Sequence, residues 1–311
     1  MTTSMPATAD SPSMITRRRR PGWWYFLAGV VAAVLGLLPW LITGLRLPLQ
    51  NLWATEVLPG RMPIALLPFS QYQLSLILGM IIFGSALAGL FTRAMPTEDR
   101  GRAMRWVGGG VLLIFVGAGV QTTVVLLRGL ADESRTELYL AVLVALTLLA
   151  IVVGLMALAL LAIAPVPGAS IGATLGAMAA GIWLNALIFP SRSVGTEVNT
   201  RLLGYATWVP AILVGLVLAW CGLNSVGRVV AWVVDLLLLW IIPAGLTAMS
   251  YGTGSRVLAR NPVEMLSASG QVFRLALGPA GISLRLAMVA FVIGVIGWVL
   301  RRLVRLPGRA D

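Results

Sequence analysis

The sequence contains no lysine, no histidine and a single cysteine, Cys221. Without histidine there is no imidazole base or imidazole metal ligand, and without lysine there is no Schiff base and no phosphate-binding P-loop. A lone cysteine excludes both an internal disulfide and a cysteine-rich metal site. These absences favour a protein that is not an enzyme, and we expect neither a cofactor nor a bound metal.

Charge is also scarce. Of the 311 residues, 11% are charged and 59% are hydrophobic, whereas a soluble chain has about 25% charged and about 45–50% apolar residues. This composition excludes a water-soluble globule. The apolar residues fall into blocks of roughly 20, each long enough to cross a hydrocarbon core of about 30 Å as a helix.

Eight such blocks predict an all-α, polytopic transmembrane helix bundle. The blocks cover residues 22–45, 72–92, 106–127, 139–164, 168–189, 202–223, 228–249 and 284–300. They divide the chain into a disordered tail at 1–21, one membrane domain at 22–303 and a short tail at 304–311. No connecting loop is long enough for a folded soluble domain.

All 23 basic residues are arginines, and the net charge is +12. The arginines lie at the ends of the apolar blocks, which indicates contact with lipid headgroups and not with nucleic acid. Their density is higher in the shorter loops and at both termini, so we expect both termini to be cytoplasmic. An all-arginine set in a chain rich in alanine and leucine is typical of GC-rich bacteria, and the expected location is the bacterial plasma membrane. Membrane lipids and other membrane proteins are the partners to consider.

Asp235 is the one carboxylate well inside an apolar block. An ionised carboxylate at such a position costs at least about 2.5–3.5 kcal/mol, so it should face protein or water. It is either part of a proton or cation path or a neutral acid that hydrogen-bonds a neighbouring helix. Three further polar side chains, Gln121, Thr122 and Asn185, could line such a path or hold helices together.

A stripe of small residues begins the fifth block. Gly168, Gly172, Gly176 and Ala180 follow one another at every fourth position, which places them on one helix face. Such a stripe allows another helix to approach closely. Packing inside the bundle is the favoured interpretation, with a subunit interface as the alternative.

The last long loop contains a helix-start pattern, with Asn261 as the N-cap, Pro262 as the first helical residue and Glu264 two positions later. It predicts an amphipathic helix over 261–277, whose apolar face includes Phe273. We expect this helix to lie along the outer membrane interface, either as a lid over a site or as a structural cap.

Three functions remain open from the sequence. The first is a transporter or permease-type subunit that moves a small or lipidic substrate, which would explain the costly Asp235. The second is a non-catalytic subunit or assembly factor of a bacterial cell-envelope membrane complex, which fits the thin supply of polar groups inside the membrane. The third is an outer-face transferase acting on a lipid-linked substrate, with Glu56 as its base.

Overall fold

The computed structural model describes residues 21–50, 52–132, 134–190, 197–254 and 262–304. Within these ranges the chain forms ten α-helices and no β-strand. The helices are α1 (Gly22–Leu41), α2 (Leu74–Arg93), α3 (Thr97–Gly129), α4 (Ser134–Ile163), α5 (Val166–Ile188), α6 (Glu197–Ala206), α7 (Val209–Cys221), α8 (Val226–Gly254), α9 (Pro262–Leu277) and α10 (Ile282–Val304). The two predicted tails lie outside the described residues, apart from their innermost positions.

Eight helical segments are long and apolar enough to cross a membrane. This confirms the predicted all-α bundle of eight spans. Most boundaries differ from prediction by a few residues, and two differences are larger. Helix α3 begins at Thr97, because Pro96 precedes it and Glu98 and Asp99 in its first turn suit a helix N-terminus. The predicted sixth span is divided into α6 and α7, which are separated by Thr207 and Trp208.

The core consists of two clusters that meet along α5. One cluster joins α1 to α4 with the segment 42–73, and the other joins α5, α7, α8 and α10. Helix α5 packs against both α2 and α4 of the first cluster. The segment 42–73 is a packed cap, since Leu47, Met62, Leu67 and Phe69 are at most 1% exposed.

Hydrogen bonds attach this cap to the helix ends beneath it. Trp40 Nε1 donates to the Ala65 carbonyl oxygen at 2.8 Å, and Thr253 Oγ1 donates to the Gln71 carbonyl oxygen at 3.1 Å. We call this side of the bundle the loop end. The opposite side, which we call the arginine end, contains Arg93 and Arg301. Arg301 Nη1 donates to the main-chain carbonyls of Ala219 and Trp220 at the end of α7.

The stripe of small residues on α5 faces helices of the same chain. A methyl group on Gly172 would lie 2.9 Å from the Ala157 carbonyl oxygen of α4, and one on Gly176 would lie 2.6 Å from Ala86 Cβ of α2. Gly168 faces Ala164 just after the end of α4. Ala180, the last member, is partly exposed.

Helix α1 carries a second set of packing glycines that the sequence analysis did not identify. A methyl group on Gly36 would lie 2.6 Å from the Met80 carbonyl oxygen of α2, and Gly29 packs directly on the Val107 backbone of α3. Gly22 completes the set against Trp106. The three glycines recur at every seventh position, which is the spacing that places residues on one helix face.

The helix expected near 261–277 is α9, and it begins at Pro262 with Glu264 in its first turn. Asn261, its expected N-cap, lies outside the described residues. The helix packs antiparallel along the C-terminal half of α8. Gly252 faces Ser269, Gly245 faces Phe273, and Trp240 Nε1 donates to the Leu277 carbonyl oxygen at 3.1 Å.

The predicted apolar face of α9 is therefore divided. Phe273 and Leu277 lie on the α8 side, whereas Val263 and Leu266 are 78% and 75% exposed. Helix α9 packs on α8 through the face around Ser269, because Gly252 of α8 has no side chain there and leaves room for Ser269. The location of α9 at the membrane interface stays a prediction.

The close contact at Gly172 leads to a first prediction. Replacing Gly172 by alanine forces α5 and α4 apart, and overpacking of this kind costs about 1–3 kcal/mol. Gly117 on α3 is the matched control, because a methyl group there meets open space. In one detergent, Gly172→Ala should lower the melting temperature, whereas Gly117→Ala should leave it unchanged or raise it slightly. Equal effects of the two substitutions would contradict the packing described.

Candidate functional site

A cavity of about 290 Å³ lies between the two halves of the bundle. Helices α2, α4, α5, α8 and α10 form its walls together with the α6–α7 connection. We call it the central cavity. Its lining residues are Leu78, Gly79, Ile82, Leu149, Val153, Leu175, Met178, Ala179, Gly181, Ile182, Asn185, Ala206, Thr207, Pro210, Ile242, Pro243, Leu246 and Leu286. The wall is almost entirely aliphatic.

Two helix interruptions meet at this cavity. One is the connection between α6 and α7, where Thr207 and Pro210 line the cavity. The other is Pro243 inside α8. Proline has no N–H, so the carbonyl of Leu239 loses its usual donor four residues later. In membrane proteins, irregular backbone is tolerated where it is covered by protein or lines a cavity.

Asn185 is the polar side chain of the central cavity that has an unsatisfied atom. Its Oδ1 is buried and has no hydrogen-bond partner. The other polar residue of the wall, Thr207, donates its hydroxyl hydrogen to the Leu203 carbonyl oxygen at 2.9 Å. The cavity wall therefore carries one amide side chain within an aliphatic surface, and the Oδ1 atom of that amide is itself buried.

Asp235 lies in a separate polar cluster that joins α5 to α8. Its side chain is fully buried, and Ser170 Oγ donates a hydrogen bond to Asp235 Oδ2. Thr174 and Cys221 lie beside the same group. Asp235 Oδ1 has no partner, and neither has the Thr174 hydroxyl. The carboxyl group therefore contacts α5 from its position on α8, and Cys221 of α7 lies near it.

The structure separates the four residues considered for a path. Asn185 is fifteen residues from Ser170 on α5, which is about 22 Å along the helix. Gln121 and Thr122 belong to α3, and they bind the cap. Gln121 Oε1 accepts from the Leu66 N–H and Thr122 Oγ1 from the Leu67 N–H, both at 2.9 Å.

Glu56, the base expected for an outer-face transferase, is exposed on the segment 42–73. Within the described ranges of the chain, no three cysteine, aspartate or glutamate side chains lie close enough together to hold a metal ion. The described residues thus form one apolar cavity and, separately from it, one buried acid.

Comparison with known protein families, with curated proteins and with solved structures finds no match for this chain. The class of protein therefore follows from the fold alone. Eight apolar helices that pack into a bundle define a multi-pass integral membrane protein.

Pro210 and Pro243 are the cavity residues that the sequence analysis missed. Both lie inside apolar blocks, and a proline-interrupted hydrophobic segment is a known indicator of a binding site in transporters. That signal was present in the sequence. Their convergence on one cavity was not, because it depends on how α6, α7 and α8 pack together.

The Asp235 cluster leads to a second prediction, which concerns stability. Ser170→Ala removes the hydrogen-bond donor to a buried carboxyl group, and the loss should cost about 1–3 kcal/mol. Ser283 on α10 is the matched control, because its hydroxyl is equally buried and has no partner. Thermal unfolding should show a lower melting temperature for Ser170→Ala and a nearly unchanged melting temperature for Ser283→Ala. A larger loss in the control would overturn the assignment.

Proposed function

We propose that this protein is a membrane transporter or permease-type subunit that moves a small, largely apolar or lipidic substrate through the central cavity. The observation that carries the proposal is the convergence of two helix interruptions, at Thr207–Pro210 and at Pro243, on one cavity. Interrupted helices around a cavity are the usual construction of transporter binding sites. They place hinge points where the substrate would lie.

The lining of the cavity defines the class of substrate. A volume of about 290 Å³ is close to the lower limit of small-molecule sites, at about 300 Å³. The aliphatic wall favours an apolar body, and the amide of Asn185 in this wall favours one polar group on it. A charged solute would lose its hydration with no compensating charge in the wall.

Asp235 supplies the coupling in this proposal. It connects α8 to Ser170 on α5, and both helices form walls of the central cavity. Uptake or release of a proton by Asp235 would change this contact and hence the relative position of the two walls.

The orientation that accompanies the proposal has both termini in the cytoplasm of a bacterium. Eight crossings put the two termini on the same side of the membrane. The arginine-rich loop around Arg100 and the arginines at the end of α10 then face the cytoplasm, in agreement with the positive-inside rule. The cap at 42–73 faces outward.

Cavity access provides a test that requires no known substrate. In a Cys221→Ala background, a cysteine at Ala206 reports on the central cavity, because this residue lines it. A membrane-impermeant methanethiosulfonate reagent should label Ala206→Cys both in right-side-out and in inside-out vesicles. Ala290→Cys is the control, since Ala290 is fully buried against α7 away from the cavity. Labelling of Ala206→Cys from one side only would contradict the transport proposal.

The coupling role of Asp235 is tested with the same reporter. Asp235→Asn keeps the shape of the side chain and an acceptor for Ser170, so the melting temperature should change little. The side preference of labelling at Ala206→Cys should depend on pH in the parent protein and not in the Asp235→Asn protein. A pH dependence that survives the substitution would show that Asp235 is only structural.

A second candidate function, a subunit of a membrane complex, is favoured by one observation. Val263, Leu266 and Leu275 on α9 are 78%, 75% and 73% exposed, so this helix presents apolar surface that a partner could cover. Co-purification in mild detergent distinguishes the two functions. Stoichiometric protein partners favour the subunit, and an isolated monomer with two-sided access to the cavity favours the transporter.

A further inference from the structure

A second apolar cavity, of about 530 Å³, lies on the other side of α5. Helix α5 forms its floor through Ala173, Ala177 and Ala180, and α2 and α7 form its walls. Leu90 and Leu216 on these walls are 50% and 56% exposed, so the cavity opens sideways out of the bundle. We call it the lateral groove.

The groove has one apolar end and one charged end. At the apolar end, Phe83 contacts Trp183, with 4.6 Å between the ring centroids. At the other end stands Arg93, which is ten residues further along α2. The distance between Phe83 and Arg93 along the helix is about 15 Å, or half of a hydrocarbon core of about 30 Å. The groove thus has the length of one membrane leaflet.

Arg93 is fixed by two hydrogen bonds and keeps other hydrogen-bond donors free. Its Nη1 donates to the carbonyl oxygens of Leu161 and Ala164 at 2.8 and 3.1 Å, and the guanidinium lies 5.2 Å from the centroid of the Trp220 ring. Among the described residues, Nε and Nη2 have no hydrogen-bond partner. Arg100 lies close enough to repel Arg93, and no carboxylate is among the groups that contact Arg93.

We propose that the lateral groove binds an anionic phospholipid, with an acyl chain against α5 and the phosphate against Arg93. A fixed guanidinium with free donors suits a phosphate, which accepts several charge-assisted hydrogen bonds. The neighbouring cations Arg93 and Arg100 favour a net negative headgroup over a zwitterionic one. A water-soluble phosphate compound would leave the apolar length of the groove unfilled. The groove and the central cavity lie on opposite faces of α5, so this proposal does not depend on the proposed function.

Native mass spectrometry of the full-length protein in detergent tests the proposal. The probes are palmitoyl-oleoyl phosphatidylglycerol, which is anionic, and the phosphatidylcholine with the same chains. The parent protein should retain one phosphatidylglycerol in preference to phosphatidylcholine. Arg93→Gln should weaken phosphatidylglycerol binding about tenfold, a change expected from loss of a charge-assisted contact. Phosphatidylcholine, whose choline offsets the charge of its phosphate, should lose less, so the preference for phosphatidylglycerol should decrease.

Arg302→Gln is the matched control. Arg302 also lies over a tryptophan ring, that of Trp298 at 4.7 Å, near the C-terminal end of α10, and it does not line the groove. Its replacement should leave lipid binding unchanged. Equal losses in the two variants would overturn the proposal, because they would indicate general attraction between cations and anionic lipid.

A second variant tests the acyl chain without altering the charge. Ala180→Trp fills the apolar end of the groove and should weaken binding of both lipids. Retention of both lipids by a folded Ala180→Trp protein would overturn the proposal. So would a lack of preference between the two lipids in the parent protein, a result that needs no variant to fold.

Discussion

A polar group inside hydrocarbon has no water to bind, and this constraint accounts for the long-range hydrogen bonds of the bundle. Ser170 satisfies one oxygen of Asp235 and thereby joins α5 to α8. Arg93 satisfies carbonyls at the end of α4, where no further helical turn can supply a donor. Thr122 accepts from the Leu67 N–H of the cap. Each bond stabilises a polar group and, by doing so, determines where two segments lie relative to one another.

The exceptions to this constraint are not evenly distributed. Among the described residues, buried side-chain atoms without a partner belong to Thr174, Asn185, Trp232, Asp235 and Ser283 on α5, α8 and α10, and to Thr136 on α4. Prolines inside helices occur in both halves, at Pro39 in α1 and at Pro243 in α8. Helices α1 to α4 are instead tied together by the cap. Buried polar atoms without partners are rare in native proteins and require an explanation. Five of the six residues lie on α5, α8 and α10, the helices that include Asp235 and the central-cavity residue Asn185.

The number and character of the spans could be predicted, because length and apolarity are properties of each segment by itself. The start of α3 could also have been predicted from Pro96, Glu98 and Asp99, although the apolar block begins later. The role of Thr122 could not, because its partner is the main chain of an irregular loop. For the same reason the sequence did not show whether Gln121 lines a substrate path or holds the cap in place. It also did not show that Arg93, one of 23 arginines, lies at the end of a groove.

Helix α5 has a special position because it is a wall of both cavities. Met178 and Asn185 face the central cavity, and Ala173 and Ala177 face the lateral groove. Small residues allow α5 to pack closely against α2 and α4, so a shift of α5 alters the shape of both spaces at once. Any ligand that binds one cavity more tightly in one position of α5 must then change the affinity of the other cavity, and the effect is reciprocal. Since Ser170 also lies on α5, the contact with Asp235 responds to the same movement, and a single helix would connect lipid, substrate and proton.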